Sequence, residues 1–295
     1  VWNVSGDGCR VGIIGGSGLY NIPDIEIVSR VKVDTPYGEP SDEYMLGRLQ
    51  GIDVAFLSRH GPGHSIPAPG VNFRANVYGF KALGVQALIG VSAVGSMREE
   101  LHPMNIVIPD QVIDLTKSRE STFFIDNPAV HVSMADPTCN SLNDALYQSA
   151  TSVGATVQLG GTYICIEGPA FSTRAESKLY RSWDVDVIGM TMATEAKLCR
   201  EAEMCYSSLA LVTDYDVWRE GSQDVTLDMI IEYVQKNSET AKKILKEVIL
   251  KMPDLSRCAC RESLVPAVAT APESVPDVTR NRLSVLLKKY LPHKG

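Results

Sequence analysis

Basic charge is in short supply. The 28 Lys and Arg residues face 35 Asp and Glu, leaving a formal net charge of −7 over 295 residues and a pI near 5.3. That excludes a general nucleic-acid surface, so any anion site has to be assembled locally from a few basic groups and backbone N–H groups. Long apolar runs are missing too: none approaches the roughly eighteen residues of a membrane span. The opening VWNVSGDGCR lacks the charged-then-apolar layout of a signal peptide. Cysteine is sparse and scattered, at 9, 139, 165, 199, 205, 258 and 260. The odd number leaves at least one thiol unpaired within the chain, and no spacing makes a zinc cage. Free thiols in a cytoplasmic protein are therefore expected. There is no internal repeat.

What is present is ordinary globular composition, 44% hydrophobic and 21% charged, in a chain long enough for one large α/β domain or two modest ones. Strand-like runs begin at 11 (VGIIGG), 54 (VAFLSRHG), 87 (ALIGVSAVGS), 105 (NIVIPDQVI), 162 (TYICIEGP), 186 (DVIGMT) and 207 (SSLALVTDYD). They are rich in Val and Ile and mostly continuous rather than alternating, as strands covered on both faces should be. Helical patterns fall between several of them. Residues 72–83 stop at Gly84 and 141–153 at Gly154, TRAE at 173–176 has capping-box spacing, and an apolar stripe runs from Thr226 to Ile249. The expected fold is a single α/β domain over 11–252, a mixed and largely buried sheet flanked by helices. Residues 1–10 read as an N-terminal extension. The Pro- and Ala-rich stretch after Pro253 reads as a loose tail with a short helix around 280–290.

Several strands end in small or polar residues, and in an open α/β sheet those carboxyl ends are where ligands bind. GGSG at 15–18 lets backbone N–H groups approach an anion, with Ser17 adding a hydroxyl, although a plain tight turn has the same composition. SRHGPGH at 58–64 supplies the donor fork of Arg59 together with His60 and His64. SAVGS at 92–96 and GMT at 189–191 end two more strands with Ser92 and Thr191. A fifth, ALVTDYDVW, turns from apolar to acidic at Asp214 and Asp216. Alternation puts residues i and i+2 on one side of the pleat. Two carboxylates so placed are either a solvated turn or a site where one resists ionisation.

The segments VGIIGGSGLY, DTPYGEPSD, RHGPGHSIPAPGVNFRAN, SAVGSMREE, IEGPAFSTRAES and TDYDVW closely resemble the 5′-methylthioadenosine phosphorylases, in the trimeric branch of the purine nucleoside phosphorylases, from about residue 11 to 252. The resemblance implies the nucleoside phosphorylase fold and phosphate contacts from Ser17, Arg59, His60, Ser92, the backbone of Ala93, and Thr191. It implies Met190 along the ribose, Phe171 near base and sugar, and His131 and His64 near the 5′ side or phosphate. Leu227, Ile230 and Ile231 would line a pocket for the 5′ substituent, and Asp214 and Asp216 would face the purine edge. The implied reaction is attack of phosphate on S-methyl-5′-thioadenosine to give adenine and 5-methylthioribose 1-phosphate, in purine and methionine salvage.

In that chemistry the ribose gains oxocarbenium character, and a proton at N7 relieves the leaving base. Asp214 is the expected N7 donor and Asp216 the acceptor from the N6 amine, an assignment that can be exchanged between coupled carboxyls. No metal or organic cofactor is implied. A homotrimer is, alone or paired into a hexamer. The nearest alternative is a phosphorylase of broader 6-amino- or 6-oxopurine use; a more distant one is a nucleoside-binding protein without catalysis. Ala170 replaces the Arg usual in EGPAF, and Thr194 replaces a usual Pro in TMATEA, while Glu195 is retained. By resemblance to disulfide-bearing archaeal members, Cys139 is a partner for Cys205. The alternate pair Cys258 and Cys260 can close only a strained short loop.

Overall fold

The computed structural model describes residues 10–16, 19, 22–219 and 227–291, with the side chains of 227–232 and 234 outside that description. The expected N-terminal extension thus lies outside the described residues except for Arg10. Two ten-residue strands form the centre: β5 (Ala87–Ser96) and β11 (Cys205–Asp214) run parallel, paired along almost their whole length. Nothing polar but hydroxyls interrupts β11 before Asp214, so it can be buried throughout.

On the other edge of β5 lies β1 (Val11–Gly15), then β4 (Ile52–Ser58), β3 (Tyr44–Leu49) and β2 (Glu26–Val31). Beyond the far end of β5 the sheet continues through β10 (Val187–Gly189), β9 (Thr162–Cys165) and β7 (Gln111–Asp114). On the β11 side it continues through β6 (Ile106–Ile108) to β8 (Val157–Leu159). The result is an eleven-stranded mixed sheet with one apolar cluster on each face.

The helices are α1 (Phe73–Ala82), α2 (Asn140–Ser152), α3 (Arg174–Ser182), α4 (Met192–Glu201) and α5 (Leu227–Leu250). Asn72 caps α1 by accepting from the Ala75 N–H at 3.1 Å. TRAE makes both bonds of a capping box at the start of α3. Gly84 and Gly154 follow their helices at φ +80° and +77°, the left-handed conformation that closes a helix at least cost in glycine.

The structure departs from the sequence expectation in three places. The run from 105 divides into β6 and β7 around Pro109, which has no N–H to give a ladder. The β2–β3 hairpin, β8 and α4 carry no clear period in the sequence. β2 is an exposed edge, and only Met190 and Thr191 separate the end of β10 from the start of α4. The segment after Pro253 is not a loose tail: Leu264, Ala267, Val275, Leu283, Leu286, Leu287 and Leu291 are buried in the same cluster as Phe80 and Leu198. Two short helices, α6 (Asp277–Arg282) and α7 (Ser284–Leu287), close it.

Candidate active site

β5 is buried along its length except at Ser92 and Ala93, which is exposed. A gap in the middle of an otherwise covered strand marks a cleft. Register shows what surrounds it. β1 pairs with β5 only as far as Ile14↔Gly90, so β5 runs on past the end of β1. β10 approaches antiparallel, with Val187↔Ser96 and Ile188↔Gly95. Beyond Gly189 the chain leaves the ladder, and the Thr191 N–H donates to Tyr163 Oη at 3.5 Å. β11 sets Ala210 against Ser92 and Leu211 against Ala93. Residues from three distant segments therefore meet at one opening.

Arg59 follows β4 and its guanidinium is fully buried. Expected as a free fork for an anion, it is largely engaged within the fold. Nε donates to Glu195 Oε1, Nη2 to Glu195 Oε2 at 3.1 Å and to the Ile14 carbonyl at 3.1 Å, and Nη1 to the Val91 carbonyl at 2.8 Å. A guanidinium has five N–H groups, so one, on Nη1, remains among the described residues. Tyr206 Oη also donates to Glu195 Oε2, at 2.9 Å. The retained Glu195, given no role by sequence reasoning, is thus the counter-ion that allows a cation to sit under the sheet.

His60 has its Nδ1 2.9 Å from the Ile66 carbonyl and stacks on His64 at 4.3 Å between ring centroids. Burial, reinforced by the Arg59 charge, pushes its pKa down to about 4. The ring is neutral at physiological pH, and a carbonyl at Nδ1 requires the proton there, so Nε2 presents a lone pair. Ser92 Oγ is buried without a hydrogen-bond partner at ordinary geometry among the described residues. Thr191, also buried, precedes α4 and makes no side-chain cap to it.

Asp214 ends β11 and Asp216 lies beyond it; both are nearly buried. The ladder shifts register between Val212 and Asp214, and Asp216 has φ +52°, so the two do not share a pleat face as alternation predicts. Instead the Asp216 N–H donates to Asp214 Oδ1 at 2.8 Å. Asp214 Oδ2 lies 2.7 Å from Thr213 Oγ1, which is also 3.2 Å from the Val94 carbonyl. Thr213 has one hydrogen. The shorter contact takes it, so Thr213 donates to the Asp214 carboxyl. Burial raises the pKa of Asp214 and of Asp216, and the neighbouring Asp216 charge is the smallest cause acting on Asp214. Desolvation rather than like-charge crowding is the main cause of the rise. Gly95 makes the approach possible: a Cβ there would stand 2.9 Å from Asp214 Oδ1.

Met190 is half-buried, and its carbonyl is held by Arg119 Nη1, whose Nε bonds Glu167 Oε1 at 3.1 Å. Nothing in the motifs singled out Arg119; only the fold carries it to the β9 and β10 ends. Phe171 and His131 are exposed, and the His131 N–H is bound to the Ala267 carbonyl at 2.9 Å. Leu227, Ile230 and Ile231 occupy the first turns of α5, their side chains outside the description. Asn237 ties that helix to the Val212 carbonyl at 3.1 Å. Ser17 lies outside the described residues.

The model of the phosphorylase superfamily matches residues 10–250. S-methyl-5′-thioadenosine phosphorylase of Geobacter sulfurreducens is 50% identical over 95% of this chain and 99% of its own length. That of Koribacter versatilis is 49% identical, covering 95% and 96%. The chain belongs to the S-methyl-5′-thioadenosine phosphorylase family. The crystal structure of a methylthioadenosine phosphorylase from an antarctic soil metagenomic library superposes at TM-score 0.90 with 46% identity, covering 96% of this chain and all of the other. A Schistosoma mansoni methylthioadenosine phosphorylase in complex with adenine superposes at 0.84 with 33% identity, covering 88% and 99%. This family match spans the fold described above, including most of the segment after Pro253, since the relatives align over 95% of the chain.

Proposed function

We propose that the protein catalyses phosphorolysis of S-methyl-5′-thioadenosine to adenine and 5-methylthioribose 1-phosphate, in purine and methionine salvage, with phosphate as co-substrate. What carries it is the meeting of a buried Asp214, whose pKa burial raises, with anion donors at a single gap in the sheet. Phosphate sits at Ser92, the Ala93 backbone, Thr191 and the remaining Nη1 hydrogen of Arg59, with Ser17 completing the cradle. His60 accepts, through Nε2, the hydrogen of monohydrogen phosphate. As the glycosidic bond breaks, the bound anion faces the cationic ribose along Met190, and Asp214 gives its proton to N7. Asp216, with Oδ2 unpaired at ordinary geometry among the described residues, accepts from the N6 amine.

Phe171 and the two histidines His64 and His131 border the sugar and its 5′ end, and Leu227, Ile230 and Ile231 receive the methylthio group. The reaction uses no metal or organic cofactor. We also propose a cytoplasmic homotrimer. The exposure of Phe171 and His131 supports this, since a neighbouring subunit would cover them and complete the pocket. No helix among the described residues is long and apolar enough to cross a membrane.

Comparing kcat/KM for methylthioadenosine, adenosine and inosine in saturating phosphate tests the assignment. Methylthioadenosine should lead. Equal use of inosine would indicate a broader purine phosphorylase, and no base release from any of them would indicate a binding protein.

A further inference from the structure

Far from the cleft, the fold gathers four cysteines whose sequence positions showed no metal-site spacing. Cys139 immediately precedes α2, Cys205 begins β11, and Cys258 and Cys260 flank Ala259 in the C-terminal segment. Their four Sγ atoms all lie within 4.8 Å of one another, and those of Cys139 and Cys258 are 3.6 Å apart. All four are free thiols, so neither Cys139–Cys205 nor Cys258–Cys260 is joined as the resemblance and the short-loop spacing suggested.

We propose that this cluster is a structural zinc site with four thiolate ligands. A regular tetrahedron with Zn–S bonds of about 2.3 Å has S···S edges of about 3.8 Å, a value that the observed separations, 3.6 Å for Cys139 and Cys258 and at most 4.8 Å for any pair, bracket. Soft thiolates in tetrahedral array select zinc over the hard divalent cations. Binding one Zn²⁺ displaces four thiol protons and leaves two net negative charges. Arg200 stands ready to offset them, its Nη1 3.9 Å from Cys260 Sγ. Entry is available: Cys258 is only half-buried and, with Lys81, Arg257 and Arg261, lines a cavity of about 630 Å³.

With all four positions taken by protein, no site is left for water or substrate, so the ion has no catalytic role. Cys205 and Asp214 are the two ends of the ten-residue β11, about 30 Å apart along the strand. Its work is mechanical. It ties the start of α2 and the start of β11 to the chain that follows Pro253, where a few buried leucines otherwise hold the segment down.

The test is metal and thiol analysis of the full chain purified under reductant without chelator. About one zinc per chain is expected, with four thiols that react with a mercurial only as zinc is released. The double substitution Cys258→Ser, Cys260→Ser should weaken zinc binding by more than about a hundredfold while leaving methylthioadenosine turnover unchanged. Should that variant fail to fold, adding Co²⁺ to demetallated wild type gives an independent reading: intense visible bands of a tetrahedral tetrathiolate are expected. Folded, active, reduced protein that holds no zinc, or iron in its place, overturns the proposal. So does a Cys139–Cys205 disulfide recovered from protein kept under reductant.

Discussion

The Asp216 backbone N–H donates to Asp214 Oδ1 at 2.8 Å, so a turn, rather than side-by-side placement on a pleat, organises the acidic pair. The consequence is chemical. One oxygen of Asp214 is fixed by an amide, the other faces Thr213, and burial raises the pKa of the whole group.

Asp214→Asn keeps this shape and removes the transferable proton. Phosphorolysis of methylthioadenosine should fall by about 10²–10⁴ in kcat. Inosine should suffer less, because the new amide can donate to O6 or N7. In the wild type the acid works protonated, so kcat should decline as pH rises through the raised pKa of Asp214, and the variant should lose that limb. Steady-state kinetics across pH on both substrates checks this. An unchanged kcat and substrate ratio would return Asp214 to a mere strand end.

Glu195 neutralises Arg59 from within the core, both side chains being almost wholly inaccessible. Glu195→Ala would strand a buried guanidinium, which typically costs about 3–5 kcal/mol. Urea denaturation should show that loss, and the KM for phosphate should rise as the one remaining Nη1 hydrogen loses its position. A loss below about 1 kcal/mol would mean the pair contributes little.

Glu201 offers a pH test of stability away from the cleft. Burial lifts its pKa from 4.5 to about 7, against bonds from Thr122 Oγ1 and the Phe123 N–H at 2.7 Å each. The folded value exceeds the unfolded one, so the native state holds the proton more tightly. Its contribution is complete below about pH 4.5 and is lost as pH rises to about 7, up to about 3 kcal/mol. Glu201→Gln cannot ionise, so its melting temperature should gain on the wild type across that window. A constant difference between the two would contradict the assignment.

Much of this was legible beforehand, for identifiable reasons. β5 and β11 announce themselves because strands covered on both faces are continuous in Val, Leu and Ile. The TRAE capping box and the glycines at 84 and 154 locate helix ends by local chemistry. Thr191 and Asp214 could be picked out near strand ends because open sheets bind ligands there, whereas Ser92 lies in the middle of β5 and not at its end as expected. What could not be read depends on contacts between distant segments. Glu195 pairs with Arg59 across 136 residues, and Arg119 reaches Met190 across 71. The four cysteines share no spacing because three separate elements deliver them. The Pro- and Ala-rich composition after Pro253 suggested a loose chain, yet its few leucines are spaced to reach an existing apolar face. Composition reports average hydrophobicity, not whether a partner surface is waiting.

Phosphate, not water, attacks the nucleoside. ³¹P NMR of protein, methylthioadenosine and phosphate, with adenine measured in parallel, tests it directly. One sugar phosphate should appear for each adenine released, and none of either should form when phosphate is omitted. Adenine released at the same rate without phosphate, with free methylthioribose as its partner, would make the protein a hydrolase and contradict the account.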